Sequence, residues 1–564
     1  MSRIALCCSG GGYRAASFHL GALTYLHELK FEGKPLLHRV VALSTVSGGT
    51  ITGVVYALHQ QKGKSFAEFY HFLLQQLKST DLVRLGLEKL NTGAVWQNTS
   101  KRKNLINAFA EIYDMHFTQG ETFDVFSNMA HSHLEEVMFN ATEFSKGVIF
   151  RFQSDGRFGN YYFPVKKDIS AEIKLSDIIA ASSCFPGGFE PIEWPDDFVH
   201  SETIELKEEL PLMAKVGLMD GGIYDNQGID SILLSETRAN AKPFDLIIIS
   251  DVTSPYFHPF EFSKTRGDGK WSNQTFYNLT SRVKTWYTRI KWGLFILSCV
   301  CIIYLGYSSF VDSTLTGIAL TLLVLVSGLI FLMISARKKI EGYISDKLQY
   351  FKSELADDLP LDDLHSLKFS KIPLGRFEPL ILDRIKSLTI LISTIFLKTV
   401  RRLVYGRLYD SEEYRFRRAS NLIRQLTRED YEQQQMRNQH DQTYYQNLEG
   451  CDPGLKGSYE QVIGEKLEEI AQDAASFGTT LWFLEKDRVE DRLNSLIITG
   501  QASMCFTLLK YLTELQYTPG NGYDDLSQSQ KREIDHLYQK CRKDWERFKV
   551  EPDFLNEKMQ RNPA

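Results

Sequence analysis

The stretch IALCCSGGGYRA, residues 4–15, predicts the start of an α/β fold. Residues 4–8 are a short apolar run, as in a buried strand, and the glycines at 10, 11 and 12 end it. Apolar residues at helical spacing follow over residues 13–30, so a helix is predicted directly after the glycines. Glycines at such a turn let backbone N–H groups point into a pocket, where the helix dipole favours negative charge. The turn therefore predicts a site for a phosphate or an oxyanion.

The same alternation continues along the chain. Residues 40–46 predict a second strand and residues 50–61 a second helix. The continuous apolar run FDLIIIS, residues 244–250, is typical of a central parallel strand that is covered on both faces. We therefore predict an α/β domain over residues 1–255.

The end of the second strand separates two interpretations of the glycine turn. A dinucleotide-binding fold needs an acidic residue there to bind the ribose, and residues 44–46 contain none. Ser47 instead precedes Gly48, Gly49 and a helix, which is the layout of a nucleophile elbow. A third motif places Asp220 after an apolar segment and before two glycines, although Asp-Gly alone is typical of a hairpin turn. This set favours an oxyanion hole over a dinucleotide site.

The motifs SGGGYRA (residues 9–15), VSGG (46–49) and DGG (220–222), in this order, resemble the patatin-like phospholipases and the catalytic core of cytosolic phospholipase A2. The segment ASSCFPGGF, residues 181–189, adds a fourth match, and the resemblance covers roughly residues 3–255. It implies a three-layer α/β fold with a sheet flanked by helices. It also implies hydrolysis of fatty-acyl esters of membrane lipids, of the phospholipase A or lysophospholipase type, through an acyl-enzyme and without a cofactor, metal ion or catalytic histidine.

The resemblance also implies roles for individual residues. Ser47 is the expected nucleophile and Asp220 the base that takes its proton. Arg14 is expected to bind a lipid phosphate or to steady the glycine loop. The expected donors of the oxyanion hole are the backbone N–H groups of Gly10, Gly11, Gly12 and Gly48.

Two residues depart from the family pattern. Thr45 replaces the first glycine of the usual GxSxG motif, and its β-branched side chain restricts the turn. Ala15 stands where plant patatins tend to have glycine. A catalytically inactive lipid-binding scaffold therefore remains an alternative, as does an acyltransferase that uses the same dyad.

A different composition begins after the α/β region. Residues 292–311 and 314–334 contain no charged residue, and each run is long enough to cross a hydrocarbon core of roughly 30 Å as a helix. Only Asp312 and Ser313 separate them, which predicts a transmembrane hairpin inserted in the chain; the alternative is a pair of buried helices. Cations flank both runs, so the catalytic domain is predicted to lie in the cytoplasm. We expect them to contact anionic lipid headgroups: Arg282, Lys284, Arg289, Lys291, Arg337, Lys338 and Lys339.

The remaining segments receive less specific predictions. Residues 256–291 form a basic juxtamembrane segment, and residues 335–450 a mostly helical region in which 388–407 lies either on the membrane surface or in the core. Residues 451–564 are expected to pack back on the catalytic core, with a strand at 478–484 and a helix at 502–512.

The net charge of -5 does not favour nucleic acid as a partner, and the eight cysteines, which include no CxxC pair, indicate reduced thiols. The oligomeric state is not predicted.

Overall fold

The computed structural model describes residues 2–253 except 92, residues 275–308 and 313–355, residues 383–433 except 385 and 389, residue 455, and residues 458–518 and 523–561. These residues divide into two compact units. The first consists of Met1–Phe257 together with Ile392–Ala564, and the second of His258–Leu391.

The first unit is built on one sheet of eight strands, with the order β10-β9-β1-β4-β5-β8-β7 and with β6 paired to β5. β2 and β3 form a separate small hairpin. The strands are β1 (Ile4–Cys8), β2 (Lys30–Phe31), β3 (Lys34–Pro35), β4 (Val40–Val46), β5 (Glu136–Glu143), β6 (Val148–Gln153), β7 (Ile192–Trp194), β8 (Val216–Asp220), β9 (Leu246–Asp251) and β10 (Arg418–Leu422).

The pairing of these strands positions the site. β10, β9, β1, β4 and β5 run parallel, and β1, β4 and β9 are buried along their whole length. Cys8 at the end of β1 pairs with Thr45 of β4 and Ser250 of β9. Because parallel strands end at the same edge, the turns after β1 and β4 meet there. β8 runs antiparallel to β5 and brings Asp220 beside Ala141, one residue beyond the partner of Val46.

Helices cover both faces of the sheet, which confirms the predicted α/β class. In the first part of the unit they are α1 (Gly12–Glu28), α2 (Gly48–Gln61), α3 (Phe66–Ser79), α4 (Leu82–Lys89), α5 (Leu105–Tyr113), α6 (Lys167–Glu172), α7 (Leu175–Ser182), α8 (Glu205–Glu209), α9 (Gly222–Asp225) and α10 (Ile229–Glu236). α2 begins at Gly48 and not at residue 50, so the elbow glycines belong to the first turn of the helix.

The second unit contains two long helices, α11 (Phe276–Ser308) and α12 (Ser313–Leu355). The segments Lys284–Tyr307 and Leu315–Lys339 are long and apolar enough to cross a membrane, by length and composition alone. They expose large apolar side chains, among them Ile303 and Phe331 at 72% and 70%. The guanidinium of Arg337 lies 5.3 Å from the ring centre of Tyr287, so the helices pack antiparallel. Asp312 of the predicted hairpin turn lies outside the described residues.

The chain after residue 391 belongs to the first unit. Its helices are α13 (Leu397–Tyr409), α14 (Tyr459–Val462), α15 (Glu465–Ser476), α16 (Glu485–Val489), α17 (Arg492–Tyr517), α18 (Gln528–Val550) and α19 (Phe554–Arg561).

Two sequence-based expectations differ from this arrangement. The region 335–450, expected to be helical, contains β10, which pairs with β9 and extends the sheet. Residues 478–484, expected to form a strand, join no sheet. The apolar side chains of this segment pack against helices instead: Phe483 is buried against Tyr13 at the start of α1.

Candidate active site

Ser47 lies in a strained turn between β4 and α2. Its φ of 49° is in the left-handed region, which costs about 1–3 kcal/mol for a residue with a side chain. Gly48 has no room for a side chain, since a Cβ there would lie 2.1 Å from the Gly12 carbonyl oxygen. The serine is 8% exposed. The turn thus has the backbone geometry of a nucleophile elbow and contacts the glycine loop directly.

A chain of hydroxyl groups holds this elbow. The backbone N–H of Ser47 donates to Ser182 Oγ at 2.9 Å, and the Ser182 hydroxyl donates to the Asn140 carbonyl at 2.7 Å. Because the single proton of Ser182 is used there, Thr50 donates to Ser182 Oγ across 2.8 Å. By the same reasoning, Thr45 donates to Thr50 across 2.9 Å. The elbow is therefore tied to β5 and to the end of α7.

The structure explains how Thr45 replaces the glycine of the family pattern. Its hydroxyl is the first donor of the hydroxyl chain. Its methyl group faces Gly53 on α2, where a Cβ would lie only 2.5 Å from Thr45 Cγ2. Because Gly53 has no side chain, it leaves the space that the Thr45 methyl group occupies.

Asp220 lies at the end of β8 beside this elbow. Its Oδ1 accepts a hydrogen bond from the Gly222 N–H at 2.7 Å. The residue is 5% exposed. Burial raises the pKa of Asp220 to about 6, and the Gly222 N–H and the nearby Ser47 hydroxyl limit this rise. A serine hydroxyl therefore lies beside a carboxyl group with an elevated pKa.

The glycine loop after β1 lies against the elbow. The N–H of Gly10 donates to the Asn226 carbonyl at 3.0 Å, so this predicted oxyanion donor already has an acceptor. Gly11 and Gly12 adopt φ values of 146° and 59°. Within the described part of the chain, the N–H groups of Gly11, Gly12 and Gly48 have no hydrogen-bond acceptor.

A buried histidine supports the glycine loop from below. His19 on α1 lies 3.0 Å from the Ser9 carbonyl oxygen through Nε2 and 3.0 Å from Ser250 Oγ through Nδ1. Since a carbonyl can only accept, Nε2 carries the proton. Burial lowers the pKa of His19 to about 4, so the ring is neutral near pH 7. Asn421 of β10 donates to the same Ser250 hydroxyl.

Arg14 is enclosed by the C-terminal part of the first unit. Its guanidinium donates to the Phe477 carbonyl at 2.7 Å, and the residue is 9% exposed. The contact joins the start of α1 to the segment that follows α15.

The sequence motifs did not indicate every residue that supports the site. Ser182 lies inside a segment that resembles the family, but its contact with Ser47 depends on the packing of α7. Thr50 and His19 are ordinary helix residues in the sequence, and the side chains around the elbow and the loop give them their roles. The described residues contain no group of three or more His, Cys, Asp or Glu that could hold a metal ion.

Two comparisons relate this chain to known proteins. The family model for patatin-like phospholipases matches residues 6–233, which include Ser47, Asp220 and the glycine loop. A comparison with curated proteins finds no match to this chain. β9, β10 and all helices after α10 lie beyond the matched residues. Membership of this domain in the family implies a lipid acyl hydrolase activity in general terms. Residues 6–233 are therefore a patatin-like phospholipase domain.

Proposed function

We propose that the protein hydrolyses fatty-acyl esters of membrane phospholipids or lysophospholipids through a dyad of Ser47 and Asp220. The observation that carries this proposal is the position of Ser47, at a turn with the φ of a nucleophile elbow and beside the buried Asp220 carboxylate, whose pKa the Ser47 hydroxyl lowers. A carboxylate with a pKa of about 6 is a better base than an ordinary aspartate, because its affinity for the proton is higher.

In the proposed first step, Asp220 takes the proton of Ser47 while Ser47 Oγ attacks the ester carbonyl. The negative charge that develops on the carbonyl oxygen is stabilised by the N–H groups of Gly11, Gly12 and Gly48. The protonated Asp220 then gives its proton to the leaving alcohol, and the acyl group stays on Ser47. Asp220 next removes a proton from water, which attacks the acyl-enzyme carbonyl; the bond to Ser47 Oγ then breaks, Asp220 returns the proton to Ser47 Oγ, and the fatty acid is released.

The two apolar helices support a membrane location for this chemistry. Their large apolar side chains are exposed, which is unfavourable in water and favourable in a hydrocarbon core. We propose that α11 and α12 cross the membrane and that the catalytic unit lies in the cytoplasm. In this arrangement Arg282, Lys284, Arg289, Lys291, Arg337, Lys338 and Lys339 contact anionic headgroups. A tether of this kind raises the effective concentration of lipid substrate.

Mass spectrometry of products from mixed phospholipid vesicles tests the catalytic proposal. We expect the wild type to release fatty acid, and Ser47→Ala and Asp220→Asn each to reduce release by about 10³-fold or more. Ser201→Ala and Asp168→Asn, at exposed positions, are the matched controls and should keep full activity. Release that survives Ser47→Ala would refute the dyad.

The alternatives give different products in the same experiment. A lipid-binding scaffold would bind vesicles but would not be labelled by a fluorophosphonate probe. An acyltransferase would move the acyl group to an added lysophospholipid or alcohol in preference to water.

The membrane proposal needs its own experiment. We expect the full chain to stay in the membrane pellet after alkaline carbonate extraction. A cysteine introduced by Arg84→Cys, on the exposed surface of the catalytic unit, should react with a bulky maleimide only from the cytoplasmic side. Extraction into the carbonate supernatant would contradict a membrane-spanning pair, and labelling from the other side would contradict the predicted orientation.

A further inference from the structure

A segment beyond the family match lies directly on the glycine loop. Residues 477–483, which we call the strap, connect α15 to α16. The strap carbonyl of Thr480 accepts a hydrogen bond from the Tyr13 N–H at 2.8 Å. The strap carbonyl of Phe477 accepts the Arg14 guanidinium at 2.7 Å. Two consecutive residues at the start of α1 are thus bonded to the strap.

The contact between strap and loop is as close as two backbones allow. A Cβ on Gly12 would lie 2.3 Å from the Thr480 carbonyl oxygen, so only glycine fits at this position. The φ of 59° at Gly12, in the left-handed region, also favours glycine. The loop conformation and the strap position therefore depend on each other.

Side chains hold the strap in this shape. The rings of Phe477 and Phe483 stack with centres 5.1 Å apart, and Phe483 lies 5.8 Å from the ring of Tyr13. Both phenylalanines are buried. The Thr480 hydroxyl donates to the Trp482 carbonyl at 2.8 Å, which closes a tight turn within the strap.

The helix that follows the strap and α16 is also packed tightly on α1. A Cβ on Gly21 of α1 would lie 2.1 Å from the Ile497 carbonyl oxygen of α17. In the opposite direction, a Cβ on Gly500 would lie 2.1 Å from the Phe18 carbonyl oxygen. The two helices meet backbone to backbone at a pair of glycines, and this contact fixes α1 relative to the C-terminal elements.

We propose that the strap positions the oxyanion donors, and that Arg14 acts as a positioning residue through Phe477 and does not bind the substrate phosphate. This inference rests on the proposed hydrolase function. The Tyr13 N–H and Arg14 Nη1 both donate to strap carbonyls, so the strap sets the conformation in which the Gly11 and Gly12 N–H groups remain without an acceptor in the described structure. Recognition of a headgroup phosphate then does not involve Arg14.

Two substrates that differ in phosphate distinguish positioning from phosphate binding. Phosphatidylcholine and diacylglycerol, each in the same mixed micelles, are hydrolysed by the wild type, Arg14→Ala and Arg14→Lys. The rate is expressed per active site, counted by complete fluorophosphonate labelling, so that a loss of folded enzyme does not affect it. Arg84→Ala, which removes an exposed arginine, is the matched control.

We expect Arg14→Ala to lower kcat by the same factor on both substrates, about tenfold or more, with little change in KM. Arg14→Lys should recover most of the loss, because an ammonium group also donates to the Phe477 carbonyl. A rise in KM confined to phosphatidylcholine would overturn the inference and restore Arg14 as a phosphate ligand. A wild type without activity that depends on Ser47 would instead refute the proposed function itself.

A second variant tests the strap without changing the glycine loop. Thr480→Val removes the hydroxyl that closes the turn of the strap. We expect kcat to fall severalfold on both substrates while the melting temperature stays near that of the wild type. Thr237→Val is the matched control, because its hydroxyl also donates to a backbone carbonyl, that of Leu234, but outside the strap. An unchanged kcat in Thr480→Val, together with an unchanged kcat in Arg14→Ala, would show that the strap does not position the donors.

Discussion

The elbow at Ser47 and the glycine loop at Ser9–Gly12 touch each other but are held by different parts of the chain. The elbow is held by Thr50, Ser182 and Asn140, all within the residues matched by the family model. The loop is held by Asn226 and His19 inside the match and, in addition, by residues beyond it: Ser250, Val252, Asn421, Phe477 and Thr480.

This difference separates two requirements of the site. Ser47, the proposed nucleophile, is oriented by side chains close to it in the matched domain. The expected oxyanion donors take their position in part from strands and helices that the chain adds after residue 233. A substitution at the elbow should therefore disturb contacts inside the matched domain. The effect of a substitution at the loop should also depend on the elements after residue 233.

The largest effect is expected where the two turns meet. Gly48→Ala places a Cβ 2.1 Å from the Gly12 carbonyl oxygen, so both turns must shift. We expect kcat/KM to fall by at least about 10²-fold, as for the loss of one oxyanion donor. Steady-state kinetics measures the loss, and Gly188→Ala, where the nearest atom is 3.6 Å away, is the control. Full activity in Gly48→Ala would mean that the two turns do not share this contact in solution.

The elbow alone is tested by Ser182→Ala. This change removes the acceptor of the Ser47 N–H and leaves a buried donor unsatisfied, which costs about 1–3 kcal/mol. We expect kcat to fall by about 10- to 100-fold, with KM unchanged. Ser235→Ala is the control, since that hydroxyl donates only to Ile232 of its own helix. A loss of stability without a loss of kcat per labelled site would show that Ser182 supports the fold and not the nucleophile.

The pH dependence tests the base beside the elbow. In the proposed mechanism the active form of Asp220 is the carboxylate, so activity should rise with pH through the pKa of about 6 and level off above it. At pH 5, one unit below this value, roughly a tenth of the sites are ionised, and kcat/KM should be about tenfold below the plateau. A pH–rate profile that is flat from pH 5 to 8 would contradict the buried carboxylate as base.

The smallest effect is expected from the support beneath the loop. His19→Leu removes the donor to the Ser9 carbonyl, which should lower the free energy of unfolding by about 1–3 kcal/mol. The activity limb near pH 6 should remain, since a ring with a pKa of about 4 does not cause it. Chemical denaturation measures the free energy of unfolding and the pH–rate profile measures the limb near pH 6. His131→Leu, at an exposed position, is the control for both. Disappearance of the limb would identify His19 as the group that titrates.

The strands and helices around the site were predictable because their signals are local. The apolar runs at 4–8 and 40–46 are strands, and the helices after them begin within two residues of their expected starts. Residues 478–484 were mispredicted because apolar and aromatic side chains favour a strand as well as a buried turn. Only the packing against α1 distinguishes the two.

The same distinction applies to the candidate site. Ser47, Asp220 and the glycines could be named as candidates from the sequence because strained turns and close backbone approaches restrict the residue types that fit. The acceptor of the Gly10 N–H and the contact between Arg14 and Phe477 were not predictable, since each joins segments that are distant in the chain.

By itself, the sequence determined the alternation of strands and helices, the two long apolar segments and the motifs of the candidate dyad. These features depend on periodicity and on local backbone conformation, which a few neighbouring residues specify. Only the tertiary structure decided that Ser182 holds the elbow and that the strap holds the glycine loop. Hydrogen bonds and close packing between distant segments exist only after the chain has folded, so no local pattern records them.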